Sequence, residues 1–430
     1  VFSGRAYLLP APSLVGTPQD EVGFQALYAG YTRRILHTFA NQLASPLPLP
    51  RQDLMTLCFP PEGSEVHLFQ YETAIDQWAE LFPRRTFASI SGLPDDGGVI
   101  LQERFWGGDP TRLYLLRWQG GEETRLFDQA GGSWFYPPVG WTGMTAEPQL
   151  LVQGTAANQS NGLYHRLDWQ NCDASGCTPT ELSGFTVWSP NGRHTLVQIR
   201  SMLFFGDEAG RPLQELEKGF NPFWLNANSF AYIRYVNDES HQGMELVQTA
   251  VDAAQPPQRM IPEDADQPSF LFYAASNPAN SNQIFIAAPD PDPRSSGYQI
   301  WELSANGSLT RRLTLDNKPF GYPSLLTPSG YPPFSFSPDG RYLVLTELAG
   351  EPVKSWQFYL VETATGATAV YDIPYPLYPA RYPFYDWSAD GRWLAIMDDG
   401  FVRLLAPDFD YERLITYDYD ACFFVTWVNQ

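Results

Sequence analysis

Residues 334–347 read FSFSPDGRYLVLTE, and residues 384–397 read FYDWSADGRWLAIM. In the first stretch Phe334 and Phe336 alternate with Ser335 and Ser337, the period of a strand with one buried face. Pro338-Asp339-Gly340 then makes a tight turn. Proline presets φ, the Asp side chain bonds nearby backbone, and glycine accepts positive φ. Tyr342, Leu343, Val344 and Leu345 follow as a second, largely apolar strand. The unit is a β-hairpin, which cannot bury both of its faces alone. The second stretch repeats it, with Trp387 at the position of Phe336.

The same hairpin recurs along the chain when it is aligned on the aromatic or aliphatic anchor before the turn. The anchors are Ile90, Trp141, Trp188, Trp224, Phe272, Phe336, Trp387 and Trp427. Each hairpin is followed by an alternating strand and then a short one, as in SWQFYLVETATGATAVYDI. Four-strand units repeated at this spacing indicate a solenoid or a propeller. The termini favour the propeller. The chain ends ACFFVTWVNQ, which matches a first strand with nothing after it. The earliest strands, DLMTLCFPP, EVHLFQYET and QWAELF, match second, third and fourth strands with no first. A closed ring lets the last strand complete the first blade and removes exposed edges. The expectation is an all-β, eight-bladed β-propeller over residues 51–430. Seven blades result if the Trp141 region is a long insertion.

Closure brings Cys58 in a second strand beside Cys422 in the closing first strand, near disulfide distance. A Cys58–Cys422 bridge is therefore expected. Cys172 and Cys177, in NCDASGC, are expected to close a small turn, because no further soft ligands stand nearby for zinc. Disulfides imply an oxidising, extracytoplasmic compartment.

SPDGRYLVL, SADGRWLAI and SPNGRHTLV resemble the repeat of TolB-like β-propellers, periplasmic or extracellular relatives of WD-type propellers. The resemblance covers residues 50–430 and is clearest at 334–371 and 384–416. It implies a fold but selects no activity, since propellers host binding proteins and enzymes alike.

Residues 1–50 stand outside the repeat. Thr17-Pro18-Gln19-Asp20 supplies an N-cap and a first-turn proline, and Phe24, Tyr28, Tyr31 and Ile35 recur at helical spacing. One amphipathic helix and a proline-rich linker are expected there. The first residue is Val, read as a mature or trimmed start.

Aromatic residues make up 15% of the 430-residue chain, which argues for an extensive packed interior. The net charge of −21 repels phosphate backbones and anionic lipid, so nucleic acid is disfavoured as a partner. No apolar run reaches the length of a membrane span.

Catalytic and metal signatures are sparse. His37, His67, His165, His194 and His241 show no metal-binding spacing and accompany no nucleophile elbow. Candidate carboxylates for a central pocket are Asp386, Asp266 and Asp420, whereas Asp339 and Asp390 serve their own turns. Oxygen-rich stretches around Asp290–Asp292, Asp398–Asp399 and Asp408–Asp410 leave a structural calcium open but name no site. The expectation is no catalytic residue, no metal ligand and no cofactor. Tyr322, Tyr331, Tyr375, Tyr378 and Tyr382, in Tyr/Pro loops leading to first strands, offer contact area for a partner or pack between blades. The favoured expectation is a non-catalytic extracytoplasmic scaffold that binds another protein, more an interaction module than an enzyme. The alternatives are a carbohydrate-active enzyme or glycan-binding lectin using the central pocket, and the sensor ectodomain of a membrane-anchored protein.

Overall fold

The computed structural model describes residues 51–59, 65–83, 85–93, 97–104, 113–119, 122–129, 140–141, 150–154, 163–167, 180–237, 242–251, 256–262, 268, 270–290, 292, 297–315, 334–349, 355–374, 385–398, 401–407, 411–416 and 421–429. The expected helix within 1–50, the Cys172–Cys177 bridge, Tyr322, Tyr331, Tyr375, Tyr378, Tyr382, Asp266 and Asp420 lie outside the described residues.

Every extended element among the described residues is antiparallel to its neighbours, and none of them is an α-helix. The first sheet holds β1 (Gln52–Phe59), β2 (His67–Glu72) and β3 (Gln77–Glu80). The second runs β4 (Phe87–Gly92), β5 (Gly98–Arg104), β6 (Leu113–Gln119) and β7 (Glu122–Gln129). The third runs β8 (Gly140–Trp141), β9 (Leu150–Gly154), β10 (Leu163–Leu167) and β11 (Thr180–Leu182). Next come β12 (Phe185–Trp188), β13 (Thr195–Ile199), β14 (Met202–Gly206) and the long β15 (Pro212–Asn226). The first half of β15 pairs with β14. Its second half pairs with β16 (Ser229–Asn237), followed by β17 (Gln242–Ala250) and β18 (Gln258–Arg259). Three further sheets complete the set. They are β19 (Tyr273–Asn277), β20 (Asn280–Pro289), β21 (Tyr298–Leu303) and β22 (Leu309–Leu315); β23 (Phe334–Phe336), β24 (Tyr342–Ala349), β25 (Ser355–Glu362) and β26 (Thr368–Pro374); and β27 (Tyr385–Trp387), β28 (Leu394–Asp398), β29 (Phe401–Ala406) and β30 (Tyr411–Thr416).

The last strand, β31 (Ala421–Asn429), returns to the first sheet. It pairs along β1 from Gln52↔Asn429 to Phe59↔Ala421, with one bulge at Thr56/Leu57. Cys58 stands opposite Cys422 in that register, and the two form a disulfide across 364 residues of sequence. The arrangement is a β-propeller-like all-β fold.

Among the described residues, buried clusters join successive sheets face to face, because alternate residues of a strand point to opposite sides. On β1, Leu54 joins Trp393, Val402, Leu404 and Trp427 in a cluster shared with the β27–β30 sheet. Its neighbour Met55 joins Phe87, Ile90 and Val99 of the following sheet. Both faces of such strands are buried, which is why continuous apolar runs such as LVL replace clean alternation in the second strands. The fully buried Leu343, Val344 and Leu345 of β24 illustrate this, with Leu343 and Leu345 facing one neighbouring sheet and Val344 the other.

The hairpin turns are built three times in the same way. In each, Gly192, Gly340 or Gly391 takes positive φ (70°, 69° and 67°). The buried Ser337 hydroxyl donates to Asp339 Oδ1 at 2.6 Å and accepts from the Tyr342 N–H at 3.0 Å. Ser189 with Asn191 and His194, and Ser388 with Asp390 and Trp393, make the same pair of bonds. The Asx oxygen also accepts the Arg N–H two residues on, in Arg193, Arg341 and Arg392. Partial burial pushes the Asp339 carboxyl up. The Ser337 hydroxyl, the Arg341 N–H and the Arg341 guanidinium outweigh this and hold it below its ordinary value.

One anchor is displaced from its expected place. Phe272 lies one residue ahead of β19 and packs its ring 5.3 Å from Tyr298.

Candidate functional site

The first strands of the units sit at sheet edges, except that β15 is shared between two units, and these strands meet: β27 lies beside β31, β31 beside β4, β12 beside β15, and β15 beside β19. An edge strand presents unpaired backbone N–H and C=O groups. Where such edges converge, side chains and backbone of successive sheets must satisfy one another.

Two kinds of contact do so. The Trp224 indole N–H donates to Val187 O at 3.0 Å, and the Trp427 indole N–H donates to Asp386 O at 3.1 Å. In both, the anchor tryptophan of one sheet reaches the residue just before the anchor of the preceding sheet. The second contact caps edge N–H groups. Asn221 Oδ1 accepts from the Ala274 N–H at 2.6 Å, joining β15 to β19. Asp386 Oδ2 accepts from the Thr426 hydroxyl at 2.8 Å and from the Trp427 N–H at 3.2 Å, joining β27 to β31. Thr426 Oγ1 in turn lies against Gly92 of β4, 2.5 Å from where a Cβ would stand, so only glycine fits there.

Between these ties lies a group of hydroxyls. The Tyr385 and Ser335 hydroxyls are 2.8 Å apart, linking β27 to β23. The Tyr273 ring packs edge-on against Phe334 at 5.0 Å, linking β19 to β23. Both tyrosine rings lie deep in the protein, and both keep part of their surface open to solvent. Burial pushes the Tyr385 hydroxyl up to about 12. The Ser335 hydrogen bond pulls against this, and the charge of Asp386 adds to it. Burial raises Tyr273 as well, and the nearby Tyr385 adds to the rise. At neutral pH both phenols are protonated donors.

The resulting belt runs across β15, β19, β23, β27, β31 and β4 through Asn221, Tyr273, Ser335, Tyr385, Asp386 and Thr426. It offers several neutral donor–acceptor hydroxyls beside one carboxylate, a set matched to a polyhydroxylated ligand. Among the described residues, no group of three or more His, Cys, Asp and Glu side chains could hold a metal ion. Asp290 accepts the Asp292 N–H within its own turn.

Of the carboxylates that the sequence singles out, Asp386 reaches this belt, but its Oδ2 is occupied in joining two sheets and its Oδ1 accepts the Trp387 N–H of its own strand. His67 pairs with Glu80 at 2.5 Å on β2 and β3, and His194 packs against Phe205, so neither contributes. Tyr273, Ser335, Tyr385 and Thr426 escape a reading based on motifs. Their signal is positional. Ser335, Asp386 and Thr426 each stand immediately before an anchor, where other units carry Val187 or Phe223.

No family model matches the chain, and no curated protein matches it. Similar solved structures exist at low identity. A eukaryotic initiation factor shares 9% identity over 88% of this chain and 98% of its own, with a TM-score of 0.50. The periplasmic gluconolactonase of Pseudomonas aeruginosa shares 15% identity over 88% and 99%, with a TM-score of 0.43. An oligogalacturonate lyase in complex with manganese shares 12% identity over 71% and 84%, with a TM-score of 0.45. Likeness at this level bears on fold alone. Enzymes stand among these structures, so the expectation of a non-catalytic scaffold that is more an interaction module than an enzyme is corrected: the propeller-like fold is one that catalytic proteins share, and it does not single out a scaffold. That expectation rested on the absence of catalytic motifs, and a propeller fold by itself selects no activity.

Proposed function

We propose that the chain is a carbohydrate-active β-propeller that takes a sugar against the belt of Tyr273, Ser335 and Tyr385 and acts on it there. The observation that carries this reading is the Tyr385–Ser335 hydroxyl pair, deep in the protein, open to solvent and adjacent to Asp386. Sugar hydroxyls both donate and accept, so they pair with neutral hydroxyls and with the backbone groups of converging edges. Tyr385 is the hydrogen-bond donor to the sugar in this reading, because it stays protonated at neutral pH and touches solvent. Asp386 is a positioning residue that fixes β27 against β31 and sets the charge beside the phenol.

The scaffold of the proposal is an eight-bladed, TolB-like propeller, with β31 closing the first blade. The pairing of β31 with β1 supports closure, and the separate β8–β11 sheet around Trp141 supports eight blades over seven. The Cys58–Cys422 disulfide supports an extracytoplasmic location. No helix among the described residues is long and apolar enough to cross a membrane.

The test is calorimetric titration and product analysis with neutral oligosaccharides, oligogalacturonate and a sugar lactone, on wild type, Ser335→Ala and Tyr385→Phe. The reading expects at least one sugar to bind, and binding or turnover to fall by about tenfold or more in both variants, the worth of one lost hydrogen bond to a bound hydroxyl. Undiminished binding in both variants, or no binding by any probe, would overturn it.

A further inference from the structure

Five large hydrophobic side chains are exposed among the described residues: Ile75, Leu213, Tyr235, Phe270 and Val370. Ile75 lies in the β2–β3 turn, Leu213 on the first half of β15, and Val370 on the outer strand β26. Each of these three stands alone, and isolated exposed apolar residues need no explanation.

Tyr235 and Phe270 differ, because both border one buried cluster. Tyr235 lies opposite Met244 and on the same face of β16 as Ile233. Ile233 and Met244 share a buried cluster with Phe220, Leu271 and Ala274, which spans the β16 and β19 sheets. The Tyr235 ring packs 5.4 Å from Phe220, which fixes its plane. Phe270 immediately precedes Leu271 of that cluster and comes three residues before Tyr273. Chain reach alone keeps it within about 10 Å of Tyr273. The two rings, 42% and 50% exposed, therefore border the same cluster, Phe270 at the end where β19 begins and the hydroxyl belt starts.

We infer that Tyr235 and Phe270 form an outer subsite for a neutral oligosaccharide, stacking on one sugar unit while another unit of the same chain meets the Tyr385–Ser335 pair. This rests on the carbohydrate reading of that pair. A pyranose presents an apolar face of C–H groups, which suits the electron-rich face of an aromatic ring. Tyr and Phe offer that face with few rotatable bonds to freeze. Two rings match a sugar unit in size and fall far short of the roughly 800 Å² that a protein partner covers on one side. The net charge of −21 disfavours an acidic glycan and selects the neutral class.

Calorimetric titration of the full chain with glucose and with cello-, malto- and manno-oligosaccharides of increasing length tests this, with oligogalacturonate as the acidic arm. The affinity is expected to rise by about tenfold, or about 1.4 kcal/mol, from the monosaccharide to longer oligomers. Phe270→Ala and Tyr235→Ala should erase that gain and leave monosaccharide binding unchanged, while Tyr235→Phe, which keeps the ring, should retain it. Oligogalacturonate should bind more weakly than neutral chains of equal length. Both substituted side chains are exposed, so unchanged thermal unfolding of the variants is the control. A length gain that survives both alanine variants, an affinity independent of length, or tighter binding of oligogalacturonate would overturn the inference while leaving the Tyr385–Ser335 reading standing. Failure of every sugar to bind would overturn both.

Discussion

Asp386 illustrates how a residue that attracts a catalytic reading can have a structural task. Its carboxylate accepts the Thr426 hydroxyl and the Trp427 N–H, both on the neighbouring strand, and Thr426 and Trp427 are almost wholly buried. Removing the carboxylate leaves buried donors without an acceptor, which costs about 1–3 kcal/mol. Asp386→Ala should therefore lower the denaturant midpoint markedly, and Asp386→Asn, which keeps an acceptor oxygen, should lower it less. Equal losses in chemical denaturation would show that the ties are not what holds the side chain. Tyr385 gives a pH signature of its own. Its folded pKa is raised, to about 12 from 10.0, so the stabilisation it contributes is complete below about pH 10 and is lost as pH rises through about 12. Wild type should lose more stability across that window than Tyr385→Phe, measured as unfolding free energy against pH. Parallel curves would contradict a buried, protonated phenol.

At the scale of the element, the repeated turn separates two costs that usually come together. Gly192 and Gly340 have almost the same positive φ, but nothing lies within 4 Å of a Cβ on Gly192. A Cβ on Gly340 would collide with the Asn277 side chain and press on Ala279 of the preceding sheet. Gly192→Ala should cost about 1–2 kcal/mol, the strain of a left-handed conformation alone. Gly340→Ala should cost more, and the difference between the two measures the fit of one turn against its neighbour. The turns were the most legible part of this sequence, because Pro, Asp and Gly act through local backbone chemistry that needs no partner. The serine's double role in the same turns was not legible, since nothing in its type announces a 0% exposed hydroxyl. The anchors show the same division. Their aromatic character and spacing mark the first strands of the units, and Trp188, Trp224, Trp387 and Trp427 all lie on them. The reach of an indole N–H to a carbonyl of the sheet before depends on how sheets stack, which periodicity does not encode. Phe272 shows the limit directly, since an aromatic three residues before Ala275 stood in for an anchor that the strand does not carry.

For the whole molecule, the pairing of β31 with β1 follows from an unmatched first strand at one end of the chain and an unmatched second strand near the other. Cys58 and Cys422 make that pairing covalent across 364 residues. A link of this span restricts the unfolded chain, and removing it costs about 2–5 kcal/mol. Cys58→Ala/Cys422→Ala should unfold at lower temperature and denaturant while keeping the β-rich circular dichroism of wild type. Unchanged stability would mean that the β1–β31 pairing holds the ends without the bridge. The belt itself was beyond the reach of the sequence, because its members come from five strands and Tyr273, Ser335 and Tyr385 stand fifty or more residues apart. The most direct measurement is a crystal structure of the full chain soaked with a neutral oligosaccharide. The account predicts density for a sugar unit whose hydroxyls hydrogen-bond Tyr385 and Ser335. Sugar density confined to the outer strands, or a pocket closed by side chains between β23 and β27, would contradict it.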